Sequence, residues 1–581
     1  MRGDAKLLHD IWPYIKPHSK RMALGMFIKF LGAIMDLLLP WILAYMIDNI
    51  VPLKSIGRIL LWGGAMVVCS IIGVAGNIGA NRMASAVARD VMRSIRHDLF
   101  EKISYLSCAQ IDRVTMPSLI SRLSSDTYNM HKMLSSMQRM GVRAPILLLG
   151  GILITLTLEP VLTMVLVSTL PFIILVVFLV SRKGIPLYTA LQGSIDNMVR
   201  KVRENFSGIR VIKALSKVTY EKERFAEINE DVAASERRAG ITMAVTNPMM
   251  NVLLNVGLTI VIIVGAFRVD AGLTQPGKIL AFLTYFTIIL NAMLSITRMF
   301  VMFSRGSASG ARIGEILTMS QDLQLVPSEP VETEYHIIFD DVSFAYQRGH
   351  EPTIENISFA LKKGETLGII GATGCGKSTI IQLLMRLYDV DTGIVRIDGK
   401  DVRSIPPDKL HTMFGITFQN DVLFADTIAE NISFGRGISQ EDIELAAEAA
   451  QASNFIGDIA AGFNYQLTTK GTNLSGGQRQ RLLIARALAG KPEVIILDDS
   501  SSALDYRTDA DLRHAIGENF ADTTAVIVAQ RISSIMHANH ILVLEDGKIL
   551  GAGCHDELME SCELYQSIYQ SQMGGGVDHA S

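Results

Sequence analysis

The segment Gly371–Thr379 reads GATGCGKST, and it decides the fold of the second half of the chain. It follows a short apolar stretch, Leu367–Ile370, and precedes an apolar helical pattern over Ile380–Leu387. Strand, glycine-rich loop, Lys-Ser and helix, in this order, are the context of a phosphate-binding loop. Its glycines let backbone N–H groups turn inward around phosphate, Lys377 adds a cation, and Ser378 offers a hydroxyl to Mg²⁺. The segment therefore predicts an α/β nucleotide-binding domain.

Further residues at suitable spacing complete a predicted ATP site. The apolar run Val494–Asp498 reads as a second strand that ends in an acid, and Gln419 follows the apolar run Phe414–Phe418. Tyr346 can stack on adenine, although alone it is more typical of a strand aromatic. The predicted ATP-binding residues are Tyr346, Gly371, Ala372, Thr373, Gly374, Cys375, Gly376, Lys377, Ser378, Thr379, Gln419 and Asp498, and the predicted Mg²⁺ ligands among them are Ser378, Gln419 and Asp498.

The composition is too apolar for an ordinary soluble enzyme. Hydrophobic residues make up 49% of the 581 residues and charged residues only 19%, and the net charge of −3 gives no general attraction to nucleic acid. A membrane span needs about 20 apolar residues. The chain has six apolar stretches: Met22–Ile47, Leu60–Ala80, Ala144–Leu158, Val161–Val180, Val245–Phe267 and Ile279–Phe303. The third is short but meets its neighbour at Glu159-Pro160, a natural hairpin tip, so we expect a helix that continues at its cytosolic end.

Positive charge predicts the orientation of these spans. Residues 1–21 carry five Lys and Arg, residues 81–139 carry nine, and residues 181–244 carry twelve, whereas the alternate loops carry almost none. We therefore expect a multi-pass protein of the plasma membrane, with both termini and the nucleotide-binding domain in the cytosol. The long basic segments read as helices that run past the bilayer. Residues Lys6–Tyr14 could form an amphipathic helix on the membrane surface.

Apart from Lys29, which we expect to extend to the inner headgroups, two charged residues lie inside the predicted spans: Asp36 in the first and Arg298 in the last. Intramembrane charges are expensive and usually face protein or water. They could form a polar wall of a substrate cavity, or simply join helices to each other, and the sequence leaves both interpretations open. Because their charges are opposite, they do not predict the charge of a substrate.

The composition also predicts domain boundaries. Residues 1–318 form the membrane domain, and residues 319–336, polar with two prolines, form a linker. Residues 337–573 form the nucleotide-binding domain, and residues 574–581 are a disordered tail.

The segment LSGGQRQR at Leu474–Arg481, with the phosphate loop upstream and VIILDD downstream, resembles the signature of the ATP-binding-cassette (ABC) family. The membrane half resembles the exporter branch, in which Ser118–Asp126 and Gly208–Leu215 would be the cytosolic loops that carry coupling helices. Ile279–Tyr285 is similar to the start of the sixth span. The resemblance implies a multidomain half-transporter, in which an all-α domain of six long helices (the type I exporter fold) is fused to an α/β cassette. It also implies a head-to-tail dimer in which the signature of each chain, here Leu474, Ser475, Gly476, Gly477 and Gln478, contacts the ATP of its partner.

Three positions depart from the family pattern. Asp499 stands where the family has the glutamate that polarises the attacking water, Gln530 replaces a histidine, and Thr469 replaces an acid before the signature. Aspartate withdraws its carboxylate by about 1 Å or more, and misplacement of that order can reduce a rate about a hundredfold. Glutamine cannot carry a proton as histidine does. Asp499 and Gln530 are thus degenerate catalytic positions, and we expect weak ATP hydrolysis at this site.

This pattern is similar to the degenerate half of heterodimeric multidrug-type exporters. The sequence therefore predicts an ATP-driven exporter subunit for a small amphipathic substrate, paired with a second half-transporter that has intact Glu and His. The alternatives are a homodimeric exporter or lipid flippase, a siderophore-type importer built on the exporter fold, and a nucleotide-gated channel or sensor. A soluble cassette protein that acts on DNA or ribosomes is excluded by the six spans.

Overall fold

The computed structural model describes residues 11–347, 349, 351–500 and 504–573, without the side chains of residues 177, 181, 246 and 247. The chain divides into two units, one of residues 1–105 and 117–319 and the other of residues 106–116 and 320–581. The predicted tail lies outside the described residues. So does most of the surface helix predicted over Lys6–Tyr14, of which residues 11–14 are helical.

Six helices of the first unit, counted over its described residues, are long and apolar enough to cross a membrane. Each contains one of the predicted apolar stretches, so six spans are confirmed. Each helix is longer than its apolar stretch because polar, helix-forming residues extend it. The first eight helices of the chain, of which α3 and α6 are short, are α1 (Ile11–Leu53), α2 (Ile56–Ser104), α3 (Cys108–Val114), α4 (Met116–Leu158), α5 (Pro160–Ser207), α6 (Ile209–Ala214), α7 (Val218–Asp270) and α8 (Pro276–Leu317).

The expectation that Ser118–Asp126 is a loop is wrong. This stretch lies inside α4, where Arg122–Asp126 adopts a π-helical turn. The short separate helix is α3, which begins at a capping box: Ser107 accepts from the backbone of Gln110, and the Gln110 side chain accepts from the backbone of Ser107. The segment Gly208–Leu215 does contain a short helix, α6.

An ion pair with a buried carboxylate, Asp126–Arg312, joins α4 to α8. Asp126 is 2% exposed and accepts hydrogen bonds from the guanidinium of Arg312, one of them at 2.8 Å from Nε. Arg122 donates to the carbonyl of Arg312 at 2.6 Å and pairs with Glu315 at 2.9 Å. Asp126 and Arg122 are buried, so their partners must replace the hydrogen bonds to water that these two groups have lost.

The second unit contains two sheets. The first sheet is antiparallel, in the order β2-β1-β4-β5, and the second has the order β10-β9-β3-β8-β7-β6, in which only β10 is antiparallel to its neighbour. The strands are β1 (Ile337–Phe344), β2 (Ile354–Leu361), β3 (Thr366–Gly371), β4 (Thr392–Ile397), β5 (Lys400–Asp401), β6 (Phe414–Thr417), β7 (Val494–Asp498), β8 (Thr524–Val528), β9 (His540–Glu545) and β10 (Lys548–Gly553).

The helices of this unit pack on those sheets. They are α9 (Lys377–Leu384), α10 (Pro407–Thr412), α11 (Ile428–Ser433), α12 (Gln440–Ala449), α13 (Ser453–Gly457), α14 (Gly476–Leu488), α15 (Tyr506–Asn519), α16 (His555–Ser561) and α17 (Glu563–Met573). One apolar core joins both sheets to α9 through residues such as Phe339, Ile380 and Val526. A second core packs α12 and α14 together with β7. Because β3, β7 and β8 are adjacent and parallel, their carboxyl ends meet at one edge.

The Asp126 pair gives a stability prediction. Asp126→Asn should destabilise the membrane domain by about 2 kcal/mol, because it replaces a 2% exposed carboxylate that accepts hydrogen bonds from Arg312 with a neutral amide. Thermal unfolding in detergent micelles measures the change. The control is Asp90→Asn, which removes a more exposed pair with Arg21, at 3.3 Å, and should have a much smaller effect. Equal shifts for the two variants would contradict the prediction.

Candidate ATP site

A cavity of about 250 Å³ opens at the carboxyl ends of β3, β7 and β8. Most of the residues predicted to bind ATP line it. The lining residues are Tyr346, Thr353, Thr373, Gly374, Gly376, Lys377, Ser378, Thr379, Gln419, Asp498, Asp499, Val528 and Gln530.

The phosphate loop is shaped by glycines that no other residue could replace without strain. Gly374 and Gly376 have φ values of 91° and 98°, in the left-handed region. A Cβ on Gly376 would lie 2.4 Å from Ile354 Cγ2, and one on Gly371 would lie 2.2 Å from the carbonyl oxygen of Leu544. The loop therefore passes so close to β2 and β9 that its backbone is fixed, with α9 starting immediately after it.

The Lys377 ammonium lies over this loop. Its Nζ donates to the carbonyl oxygens of Gly371, at 2.9 Å, and Ala372, at 2.8 Å. A cation held at the mouth of the loop and at the N-terminus of a helix is suited to bind the phosphates of a nucleotide.

Oxygen donors suited to Mg²⁺ meet beside Lys377. Asp498 ends β7 and is 4% exposed, and burial raises the pKa of its carboxyl, to which the charge of Asp499 adds. A hydrogen bond from Ser378 and the charge of Lys377 act in the opposite direction. A carboxylate, a hydroxyl and the amide of Gln419 on the same cavity wall fit the ion, because Mg²⁺ prefers hard oxygen ligands.

The two positions predicted to be degenerate, Asp499 and Gln530, contact each other. Gln530 Nε2 donates to Asp499 Oδ2 at 3.0 Å. The backbone of Asp499 has a φ of 50°, and its N–H donates to the carbonyl of Val528 at 2.9 Å, so the end of β8 holds the backbone of this residue. Gln572 accepts from the backbone N–H of Ile532 and donates to the Gln530 carbonyl at 2.7 Å, which holds the other side of the pair. Burial raises the pKa of the Asp499 carboxyl, against the charge of Lys377.

Tyr346 forms the aromatic side of the cavity. Its ring meets that of Tyr388 edge-on, with centroids 5.2 Å apart, and its hydroxyl donates to Gln382 Oε1 at 2.6 Å. Tyr388 in turn donates to Asp112 of α3 at 2.6 Å. The aromatic residue predicted to stack on adenine is therefore held by a hydrogen-bonded and edge-packed chain of side chains.

Three predicted ATP-binding residues, Gly371, Ala372 and Cys375, do not line the cavity, and the Gly371 carbonyl accepts from Lys377. The Cys375 side chain is 5% exposed and belongs to the apolar core, and Ala372 contributes only its carbonyl, which accepts from Lys377. Sequence reasoning missed Thr353 and Val528, which do line it. No sequence signal could have found Thr353, which precedes β2 and reaches the loop through the fold alone.

The signature residues lie outside this cavity: none of Leu474, Ser475, Gly476, Gly477 and Gln478 is among its lining residues in the described part of the chain. Ser475 caps α14 and forms a capping box with Gln478, in which Ser475 N–H donates to Gln478 Oε1 at 2.9 Å. Both Ser475 and Gly476 are exposed. The third departure from the family pattern, Thr469, lies in the turn before them, next to Lys470 with a φ of 64°.

The charged residues of the predicted substrate cavity have separate contacts. Asp36 Oδ2 pairs with Arg143 at 2.8 Å and accepts from Asn77 at 3.4 Å, which joins α1 to α4 and α2. Arg298 is exposed and lies 3.4 Å from Ser295 Oγ on its own helix. Among the described residues, no hydrogen bond or ion pair joins Asp36 to Arg298.

Comparison with known proteins identifies the family. The family model "ABC transporter transmembrane region" matches residues 22–293, and the model "ABC transporter" matches residues 354–502. The Bacillus subtilis ABC transporter ATP-binding protein YfiB is 34% identical over 562 residues, which cover 97% of this chain and 98% of that protein. The chain belongs to the ABC transporter family.

Two further similarities bear on this half-transporter. The fatty acid ABC transporter ATP-binding/permease protein of Mycobacterium bovis is 30% identical over 488 residues, or 84% of this chain and 77% of that protein. The structure of a bacterial Atm1-family ABC exporter with ATP bound has a TM-score of 0.82 and 23% identity, covering 97% of this chain and 99% of that one. The latter shows that the half-transporter has the exporter fold.

The family explains how the parts of the chain work together. It is a multi-pass membrane protein that hydrolyses ATP to drive transport, and such half-transporters work as dimers in the lipid bilayer. ABC ATPase domains bind ATP, generally with Mg²⁺, and the phosphate loop and Asp498 have the geometry and donor atoms for both.

The close approach at Gly376 gives a prediction about its two loop glycines. Gly376→Ala and Gly374→Ala both introduce a Cβ at positive φ, but only the Cβ on Gly376 meets another atom, since Gly374 has open space around it. Gly376→Ala should therefore lower the unfolding free energy of the nucleotide-free protein by about 1–3 kcal/mol more than Gly374→Ala. Thermal unfolding without nucleotide measures the difference, and equal stabilities would contradict the prediction.

The raised pKa of Asp498 gives a prediction about pH. The folded protein holds this proton more tightly than the unfolded chain does, so stability falls as pH rises from about 4 through the raised folded value. Asp498→Asn removes this penalty while keeping a similar shape. Without nucleotide and Mg²⁺, the variant should have a higher unfolding temperature than the wild type at pH 7, with a smaller difference at pH 5. The prediction would be contradicted if the unfolding temperature of the variant exceeded that of the wild type by less at pH 7 than at pH 5.

Proposed function

We propose that this half-transporter is one subunit of a heterodimeric exporter, whose own phosphate loop binds ATP but hydrolyses it slowly. The observation that carries the proposal is the direct contact between the two degenerate positions, Asp499 and Gln530, beside a phosphate loop with no such departure. The residues that bind ATP are present, whereas the residues that activate water are altered.

The contact explains why both changes reduce turnover together. The side chain of aspartate is one methylene shorter than that of glutamate, so its carboxylate lies farther from the attacking water. The backbone hydrogen bond from Asp499 to Val528 restrains the residue from shifting to compensate. Gln530 satisfies one oxygen of that carboxylate with a neutral amide. A histidine could change its charge during the reaction, but an amide cannot. The pair is thus suited to hold a nucleotide rather than to cleave it.

A partner subunit would supply the second, faster site. The exposed Ser475 and Gly476 at the start of α14 are suited to bind the phosphates of a nucleotide held by another chain, because a helix N-terminus with a small residue exposes backbone N–H groups. We therefore expect this chain's signature to complete the site of a second half-transporter that carries the usual Glu and His. The boundaries at residues 318 and 336, with both termini in the cytosol, belong to this proposal.

The proposed substrate is small and amphipathic. Arg143 neutralises Asp36, so this polar cluster presents little net charge, and Arg298 remains exposed. The similarity to a mycobacterial fatty acid transporter supports a lipid-like molecule with an acidic head, which Arg298 could attract. ATP-driven closure of the cassettes would favour the outward-open arrangement of the spans, which gives export.

Reversion of the degenerate pair tests the proposal. The double variant Asp499→Glu with Gln530→His should raise the ATPase rate of this chain alone by about a hundredfold, because it restores both the reach of the carboxylate and the titratable group. Each single variant should raise it much less, since the two side chains contact each other. Release of phosphate in detergent or nanodiscs measures these rates.

The matched control is Asp499→Asn, which keeps the size of the side chain and removes its charge. It should leave the low ATPase rate of this chain almost unchanged if Asp499 does not activate water. In the reconstituted pair, Ser475→Ala should abolish most hydrolysis. A chain that alone hydrolyses ATP as fast as the pair, and loses that activity in Asp499→Asn, would be a working homodimer and would refute the proposal.

A further inference from the structure

A second cluster of polar side chains lies away from the ATP cavity. His336, Asp398 and Glu493 each direct one potential ligand atom to the same point, and these atoms lie within 4.8 Å of one another. His336 precedes β1, Asp398 follows β4, and Glu493 precedes β7, so the cluster joins the two sheets.

The cluster lies at the edge of the six-stranded sheet opposite the phosphate loop. Glu493 precedes the first residue of β7, whereas Asp498 is its last residue, and five residues of strand span about 16 Å. Thr524, which contacts His336, likewise begins β8, whereas Gln530 follows the end of that strand. The two sites are therefore separate.

His336 is held rigidly with one ring nitrogen aimed into the cluster. It is 2% exposed, and its Nδ1 lies 2.7 Å from Thr524 Oγ1, which also accepts from the N–H of Gly364 at 3.1 Å. Its backbone N–H donates to Leu361, and its carbonyl accepts from the N–H of Asp398, each at 2.8 Å. The ring therefore has little freedom to turn away.

The other ring nitrogen, Nε2, is buried and has no hydrogen-bond partner among the residues that the structure describes. Asp398 Oδ1 lies 3.7 Å from it, which is too far for a hydrogen bond. Two ligand atoms of a single metal ion, each about 2 Å from it, are separated by a distance of this order. A metal ion between this buried nitrogen and the two carboxylates would supply the partner that the nitrogen lacks.

We propose that His336, Asp398 and Glu493 bind a divalent transition-metal ion such as Zn²⁺. One imidazole nitrogen and two carboxylate oxygens suit Zn²⁺, with water in the remaining position, whereas Mg²⁺ prefers oxygen ligands alone. Thr524 fixes the ring through Nδ1, which is how the second nitrogen of a metal-binding histidine is usually held.

The charges around the ring are compatible with this role. Burial lowers the pKa of His336, with Lys363 acting in the same direction and the carboxylates of Asp398 and Glu493 acting against it. A neutral imidazole is the form that binds metal. The ion would join the end of the proposed linker to both sheets, so the expected consequence of binding is a more stable cassette.

The test uses the full-length protein in detergent, stripped of metal and without nucleotide. Zn²⁺ and Co²⁺ are titrated separately, bound metal is counted by mass spectrometry after gel filtration, and the visible spectrum of Co²⁺ reports coordination. We expect about one equivalent bound and an unfolding temperature raised by several degrees.

The informative variants are Asp398→Asn and Glu493→Gln. Both side chains lie at the surface, and asparagine tolerates the left-handed backbone of Asp398, with its φ of 49°, so both variants should fold. Each should weaken metal binding at least tenfold and reduce the stabilisation. His336→Gln should do the same.

Two controls separate this site from others. The exposed cluster His97, Asp98 and Glu101 lies on one helix, and the double variant His97→Gln with Glu101→Gln should keep the binding. Asp498→Asn, which alters the ATP cavity, should also keep it. Absence of a bound equivalent, binding unchanged in Asp398→Asn and Glu493→Gln, or binding lost in either control would each overturn the proposal.

Discussion

The close passage of the backbone at Gly371 and Gly376 is the constraint on which the ATP site depends. A Cβ at either position would overlap β9 or the residues at the start of β2, so only glycine lets β3 turn into α9 at this point. The turn places Lys377 and Ser378 above the carboxyl edge of the sheet. Since neighbouring parallel strands end at that same edge, Asp498 reaches the loop without any special arrangement of its own. The chemistry therefore follows from packing between backbones.

The sequence predicts those parts of the structure whose signal is local. The strand β7 was predicted with its true bounds, because Val494–Asp498 is an unbroken apolar run. The six spans were predicted for the same reason, since length and hydropathy suffice. The phosphate loop carries its own turn residues. In each case, the sequence signal lies within the segment that forms the strand, helix or loop.

Features that depend on distant contacts could not be predicted in this way. Helix α3 was missed because its start at Ser107 lies in a long segment that already reads as helical. The partner of Asp36 was missed because Arg143 lies on another helix, immediately before the apolar stretch that was recognised as a span. Thr353 reaches the ATP cavity only because β2 passes beneath the loop. The contacts of Asp36 and Thr353 leave no trace in the local pattern, whereas the capping box of Ser107 and Gln110 is a local signal that marks the start of α3.

The contact between Asp499 and Gln530 changes how their two departures are to be understood. If the two substitutions were independent, each would affect the site on its own. Because the Asp499 and Gln530 side chains share a hydrogen bond, they act as one unit. Their effects on rate and stability should therefore not add, because changing one leaves the other without its partner. The proposal of a site that holds ATP therefore treats Asp499 and Gln530 as one unit rather than as two separate changes.

At both ends of the parallel strands in the six-stranded sheet, a polar side chain is buried in an environment less favourable for it than water. At one edge, burial disfavours the charged form of Asp498, and at the other it leaves His336 Nε2 without a hydrogen bond. A cation would relieve the strain at either edge, since it satisfies a buried carboxylate or imidazole that no protein group satisfies. A ligand that binds only the folded state stabilises it in proportion to the logarithm of its concentration. If the proposed metal ion binds at His336 and Mg²⁺ binds at Asp498, the stability of this cassette depends partly on ligands at both ends of the sheet.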